Sequence, residues 1–423
     1  TLYMERYSNS TREVSQGDRR GALMLSIDVT HPDAEKFIDA KLEQDKVTGA
    51  NISVKLTDEF MNRVKCDGSF YQTFPIDLKI PFCGKDYELV SKLEYEKLLP
   101  VTGGYIKKIE AKKLWNKIIH NAWKSAEPGL LFWDTILRES PAGCYGKEWE
   151  ERSTNPCSEL PLCEYDSCRL LAINLYSYVN DKFTSNAHFN FELFKYHVAI
   201  AQRIMDDIVD LEIEKIDKIL DKINSDPESE DLKRVELNLW TKIKEKAIQG
   251  RRTGLGITGL GDMLAAMNLR YGSEEAVEFS EEVHRVLAVE SYKSSINLAR
   301  ERGCFQIWNY EKEQNNPFLN RIISTFDKEI DKNDYWYDYY RYGRRNIANL
   351  TIAPTGSVSI LTQTTSGIEP CFQVYYKRRR KVNDKSKATF VDELGDMWEE
   401  YKVFHHKFVE WFKINVWNDL IHK

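Results

Sequence analysis

The sequence predicts an α/β fold with a mainly parallel core. Strand-like and helix-like segments alternate along the chain. Several of the helical stretches repeat apolar residues at helical spacing. No linker, low-complexity stretch or internal repeat interrupts this pattern, so one domain spanning residues 1–423 is the simplest organisation.

Taken in order, HPDAEKFIDAKLEQ reads as a helix and NISVKLT as a short strand. DEFMNRV continues as a helix, with Asp58 and Glu59 in the first turn, where negative charge is favoured. KKIEAKKLWNKIIHNAWKSA carries Ile109, Leu114, Ile118 and Ala122 at helical spacing and is ended by Pro128 and Gly129. LLFWD and CRLLAINLYSYV read as buried strands, and FELFKYHVAIAQRIMDDIVDLEI as a long helix. DKINSDPESEDLKRVE is the expected solvated loop. The helix that follows, from SEEAVEF to NLARERG, has Ser273 as its N-cap and Gly303 as its stop. RRNIANLTIAPTGSVSIL reads as a strand, a turn and a helix start, and HHKFVEWFKINVWNDLIHK as an amphipathic helix.

Composition excludes several classes. The net charge is −6, which disfavours a general nucleic-acid surface. No run of about 18 apolar residues reads as a membrane span. The first residues are too polar for a signal peptide. Eight cysteines in 423 residues are too sparse for a disulfide scaffold, and a reducing, cytoplasmic setting is expected.

The segment TNPCSELPLCEYDSC concentrates the chemistry. In NPCSE, Cys157 stands between Asn155 and Glu159. An amide can hold a substrate hydroxyl, and a carboxylate can take its proton. The same carboxylate disfavours a thiolate, so ordinary nucleophilic cysteine chemistry is less natural here. Read alone, the segment fits equally a turn begun by Asn-Pro beside a buried cysteine. A zinc site from Cys157, Cys163 and Cys168 lacks the close cysteine pairs that such sites use. APTGSVS is a glycine turn opening a helix, a shape that cradles phosphate and that also serves many ordinary strand-to-helix turns. GLGITG matches a dinucleotide fingerprint, but a lysine-rich helix precedes it where a strand is required, so tight packing is the better reading. KRRRK, from Lys377 to Lys381, reads as a solvated basic loop.

The order NPCSE, CRLLAINL, APTGSVSIL and SGIEP resembles the catalytic subunit of ribonucleotide reductases. RRGALMLSIDVTHPD, EPGLLFWDT and RRTGLGITGLGD are similar to segments of the same family, so the resemblance runs from about residue 14 to the end. It implies a ten-stranded α/β barrel with a finger loop carrying Cys157 at its tip. It further implies reduction of ribonucleotides, as diphosphates, for DNA precursor synthesis. A thiyl radical on Cys157 would take hydrogen from the ribose 3′ carbon. Glu159 would accept the 3′ hydroxyl proton, Asn155 would hold the hydroxyls, and Cys168 would be one of two reducing thiols. Pro354, Thr355, Gly356, Ser357 and Val358 would hold the diphosphate. Ser15, Gln16 and Arg20 would form the loop that reads a deoxynucleotide effector.

Pro156 is typical of the adenosylcobalamin-dependent branch, so that cofactor is expected. The alternative is a metal-bearing partner subunit, whose family members carry a C-terminal tyrosine pair that no segment here matches. Ser158 stands where glycine is common, and Arg169 and Leu171 where asparagine and glycine are common. Cys163 matches no family role and reads as a buried thiol. The family's first reducing cysteine precedes the effector loop, and no cysteine precedes Val14 here. The chain is therefore expected to be a barrel lacking its N-terminal strands and C-terminal tail, completed by an upstream segment or companion chain. A homodimer and a thioredoxin-like reductant are the expected partners, with neither nucleic acid nor membrane. The rival readings are a non-catalytic, barrel-completing subunit and a thiol–disulfide or zinc-binding protein.

Overall fold

Ile52, Val54 and Leu56 alternate with Asn51, Ser53 and Lys55, and this alternation organises the first part of the molecule. The computed structural model describes residues 2–16, 19–42, 46–75, 88–90, 104–167, 169–326 and 335–417. It divides into one unit of residues 1–164 with 312–319 and a second of 165–311 with 320–423.

In the first unit, Asn51–Leu56 is the centre of a parallel sheet between Met24–Asp28 and Gly129–Phe132. Ile52, Val54 and Leu56 face Phe60, Leu114 and Ile118 from the helices Asp58–Lys65 and Ala111–Ser125. The register places Ser26 beside Ser53 and Asp28 beside Lys55. The opposite face is therefore polar, although parallel strands are usually apolar on both faces. Thr57 caps the Asp58–Lys65 helix, its Oγ1 accepting from the Phe60 N–H at 3.1 Å.

Two expected helices in this unit are shorter than their patterns. The first spans only Ala34–Ile38. The Asn121 amide donates to the Ile38 carbonyl at 3.0 Å, taking the acceptor that a continuing helix would use. The second begins at Ala111, because residues 104–110 instead form a strand paired with Ser69–Pro75. Ile109 thus pairs with Phe70 across a sheet rather than joining a helical face. LLFWD divides in the same way, into the strand Gly129–Phe132 and the helix Trp133–Glu139.

The second unit is built on two long helices, Phe191–Ser225 and Glu274–Arg302. They pack against the parallel pair Leu170–Asn174 and Gly254–Thr258 through Phe194, Val198, Val283 and Leu287. The Asn190 side chain caps the first helix and the Ser273 side chain the second, which stops at Gly303 with φ +84°. The expected solvated loop at 221–236 is mostly helical: Phe191–Ser225 runs through its start, and Glu230–Gly250 begins after a short link. Its Lys and Glu residues are good helix formers, and only Pro227 breaks the run.

Residues 344–353 make no regular strand. A single bridge joins Leu350 to Leu255, while Arg344, Asn346 and Asn349 are buried by side-chain contacts of their own. KRRRK lies in the strand Tyr375–Lys381, not in a loop, and its side chains are exposed. Glu400 and Glu399 from the strand Met397–Phe404, and Asp396 just before it, pair with Arg379, Arg380 and Lys381, each at 2.6 Å. The closing pattern is the helix Lys413 interrupts: His406–Phe412 is α-helical and Lys413–Trp417 a wider turn. The described strands form sheets of two or three strands and no closed barrel. No described helix is long and apolar enough to cross a membrane.

GLGITG is a fully buried strand, Gly254–Thr258, and its glycines permit close backbone approach. A Cβ on Gly256 would stand 2.1 Å from the Thr351 carbonyl oxygen. Gly256→Ala should therefore cost about 1–3 kcal/mol of stability, read as a lower melting temperature. Gly356→Ala is the control, since its Cβ meets nothing within 4 Å.

Candidate active site

Asn155, Cys157 and Glu159 occupy the tip of a hairpin in the first unit, between the paired arms Ser153–Thr154 and Pro161–Leu162. The local sequence closes this tip. Pro156 fixes its own φ and offers no N–H. The Asn155 N–H donates to the Leu160 carbonyl at 3.2 Å, and the Leu160 N–H donates to Asn155 Oδ1 at 2.9 Å. The Ser158 N–H reaches the Asn155 carbonyl at 2.9 Å, with Ser158 at φ +69°. Glycine takes that conformation without strain, which is the physical sense of a glycine at this position.

Cys157 is an exposed, free thiol, and Glu159 is half-buried. Partial burial, and then the neighbouring Glu159 carboxylate, push the Cys157 thiol above its ordinary range. The site therefore keeps its S–H bond at neutral pH. Asn155 Oδ1 is already used within the hairpin, which leaves its Nδ2 group as the donor toward a bound hydroxyl.

The hairpin rests on the polar sheet face. Lys55 donates to the Arg152 carbonyl and lies 4.0 Å from the centre of the Trp133 ring. Burial, with Arg152 adding to it, lowers the Lys55 pKa against the opposing pull of Asp28 and Glu150. Ser26 and Ser153 share a hydrogen bond at 3.0 Å, and Asn51 Nδ2 donates to the Pro156 carbonyl at 2.7 Å.

Cys168 lies outside the described residues. Next to it, Arg169 is buried, paired with Glu212, and donates to the Arg252 carbonyl at 2.8 Å. Asp166 and Arg252 form a buried pair at 2.6 Å. Cys163 is buried, as expected.

The 354–358 turn lies in the second unit. Thr355, at φ +51°, precedes the short helix Gly356–Thr362; Pro354, Gly356, Ser357 and Val358 are exposed. Thr355 Oγ1 accepts from the Gly367 N–H at 2.7 Å and meets Thr258 Oγ1 at 2.9 Å. Asp262 Oδ2 accepts from the Thr365 N–H at 2.7 Å, and Asp262 Oδ1 lies 2.7 Å from His405 Nε2. In the loop expected to read an effector, the backbone of Ser15–Gln16 pairs with Arg19–Arg20; the side chains of Ser15, Gln16 and Arg20 lie outside the description.

Among the described residues, one group has the spacing of metal ligands: Asp206, Asp207 and Asp210. Arginine already fills that role. Asp206 meets Arg251 at 2.8 Å and both Arg302 and Arg345 at 3.2 Å. Burial pushes its carboxyl up, but Arg251 and Arg345 outweigh burial and hold it below the usual range.

A sequence model of the family described as "Ribonucleotide reductase, barrel domain" matches residues 2–410. The chain belongs to this family. It is 34% identical over 379 residues to a vitamin B12-dependent ribonucleoside-diphosphate reductase of Thermoplasma acidophilum, covering 89% of this chain and 39% of that protein. A vitamin B12-dependent ribonucleoside-diphosphate reductase of Mycobacterium tuberculosis is 29% identical, over 89% of this chain and 43% of its own length. A ribonucleoside-diphosphate reductase subunit alpha of Chlamydia pneumoniae is 28% identical, over 84% and 33%. The chain thus spans about two fifths of the B12-dependent relatives, 39% and 43%.

For a ribonucleotide reductase barrel domain, the departures noted in the sequence have local explanations. Arg169 is accommodated by Glu212, and Leu171 packs against the apolar core of its unit. The residues that the motifs did not single out are those that support the loops: Asn51 and Lys55 beneath the hairpin, Thr258 against Thr355 of the turn, and Asp262 with His405 against Thr365 in the segment that follows it. Thr258 and Asp262 were within reach, since both sit in the quoted RRTGLGITGLGD; only its glycines drew a reading.

Proposed function

We propose that this barrel domain reduces ribonucleoside diphosphates to deoxyribonucleotides by a thiyl-radical mechanism. The observation that carries the reading is the hairpin tip, where an exposed Cys157 thiol stands between Asn155 and Glu159 and is held in its protonated form. A radical enzyme needs a thiol that has kept its hydrogen, whereas a nucleophilic cysteine needs a lowered pKa.

In this reading the Cys157 thiyl takes the hydrogen from the ribose 3′ carbon. Glu159 accepts the proton of the 3′ hydroxyl, and the Nδ2 group of Asn155 holds a ribose oxygen. The 2′ hydroxyl leaves as water. Cys168 and a second thiol supply two electrons and end as a disulfide, and Cys157 returns its hydrogen to the 3′ carbon. The Pro354–Val358 turn binds the diphosphate through its exposed N–H groups and hydroxyls. Thr258 meets Thr355 within that turn, and the Gly367 N–H donates to the same Thr355 hydroxyl. The loop containing Ser15, Gln16 and Arg20 responds to a nucleotide effector, a thioredoxin-like protein restores the dithiol, and the enzyme works as a homodimer.

An exposed thiol that keeps its hydrogen suits any radical generator; adenosylcobalamin is the cofactor we assign, in keeping with Pro156 and with the names of the relatives. It supplies, when bound, a carbon-centred radical able to take the hydrogen of Cys157. The complete enzyme should form deoxynucleotide with adenosylcobalamin and a dithiol alone. Activity that instead tracks a metal-loaded second protein overturns the cofactor assignment, and no deoxynucleotide under either condition overturns the reading itself.

A further inference from the structure

Asn51, Ser53 and Lys55 share one face of their strand, with Ser26 beside Ser53 in register. From this face three side chains reach the hairpin that carries Cys157, at different depths. Lys55 holds the Arg152 carbonyl and Ser26 meets Ser153, both on the ascending arm. Asn51 alone of the three reaches the tip, where its Nδ2 donates to the Pro156 carbonyl at 2.7 Å, across 105 residues of sequence. That carbonyl belongs to the peptide joining Pro156 to Cys157. Proline has no N–H to anchor the tip and cannot rotate about φ, so this carbonyl is its hydrogen-bonding handle. Turning the peptide plane swings the Cys157 Cα and its thiol.

We propose that Asn51 is a positioning residue for Cys157, holding the Pro156 carbonyl and thereby setting the direction in which the thiol leaves the loop. The catalytic side of this proposal rests on the reading of Cys157 as the radical cysteine; the geometric side does not. Asn51 is exposed, and the sheet uses its backbone N–H, which donates to the Leu23 carbonyl at 2.8 Å. Replacing its side chain therefore leaves both core and ladder in place.

Three variants of the complete enzyme separate the roles. Asn51→Ala removes the donor. Asn51→Asp keeps the shape but sets a carboxylate against a carbonyl oxygen. Asn51→Gln keeps the amide on a longer arm. The first readout is the rate of iodoacetamide alkylation at Cys157 from about pH 6 to about pH 10, resolved by peptide mass spectrometry. The exposed Cys66 serves as the internal control. Asn51→Ala and Asn51→Asp should shift the Cys157 profile several-fold at a given pH, with Cys66 unchanged and Asn51→Gln partly restored. The second readout is turnover, in which kcat should fall by about 10²-fold with KM near the parent value. A Cys157 profile and a kcat both equal to the parent's overturn the proposal. So does a parallel change at Cys66 with a lowered melting temperature, which marks general loosening. A shifted Cys157 profile in an enzyme whose Cys157→Ala variant still turns over supports the positioning role and refutes the radical assignment instead.

Discussion

Cys157→Ala should abolish deoxynucleotide formation in the complete enzyme and leave nucleotide binding and melting temperature unchanged. The thiol is exposed at a hairpin tip, so its removal opens no cavity in the core. The tip is closed by the backbone of Asn155, Ser158 and Leu160 and by the Asn155 side chain, none of which uses the sulfur. On the proposed mechanism, what disappears is the atom that would carry the radical. Product analysis by chromatography, beside nucleotide titration calorimetry, separates the two effects. Turnover near the parent rate sinks the assignment; lost binding with lost activity would mean that the hairpin, not the sulfur, had been damaged.

Glu159→Gln should lower kcat by about 10²–10⁴-fold, the usual effect of losing a positioned general base. Its shape is retained, so KM should change little. The same substitution has a second consequence of opposite sign. Glu159 adds to burial in raising the Cys157 pKa. With the carboxylate gone, the thiolate forms at lower pH, and alkylation of Cys157 at neutral pH becomes faster while turnover becomes slower. A general loss of structure does not produce that opposition. A change confined to KM, with kcat intact, removes Glu159 from the role of base.

Much of this site was legible as chemistry before it was visible as geometry. NPCSE places an amide, a thiol and a carboxylate so close along the chain that any conformation keeps them together, and Pro156 with its neighbours already favours a turn. Cap residues behaved likewise: Ser273 and Gly303 act on backbone groups only a few residues away. Residues 107–110 misled because their helical spacing is equally consistent with a strand, and Ser69–Pro75 supplied the partner that settled it. The charged run at 221–236 looked solvated and was, but on helices; polarity reports exposure more directly than backbone conformation.

By itself the sequence determined what acts over a few residues: the cap at Ser273 and the stop at Gly303, the turn at Asn155–Pro156 and the chemical character of the NPCSE loop. The tertiary structure alone decided what supports that chemistry. Asn51 meets Pro156 across 105 residues, and Asp262 meets His405 across 143. Gly256 is required only because the Thr351 carbonyl passes within 2.1 Å of where its Cβ would stand. A hydrogen bond of this kind depends on separations of about 3 Å, and no local propensity sets such a distance between remote residues. It follows from the packing of whole strands and helices, which bring polar side chains on one sheet face to the loop that needs holding.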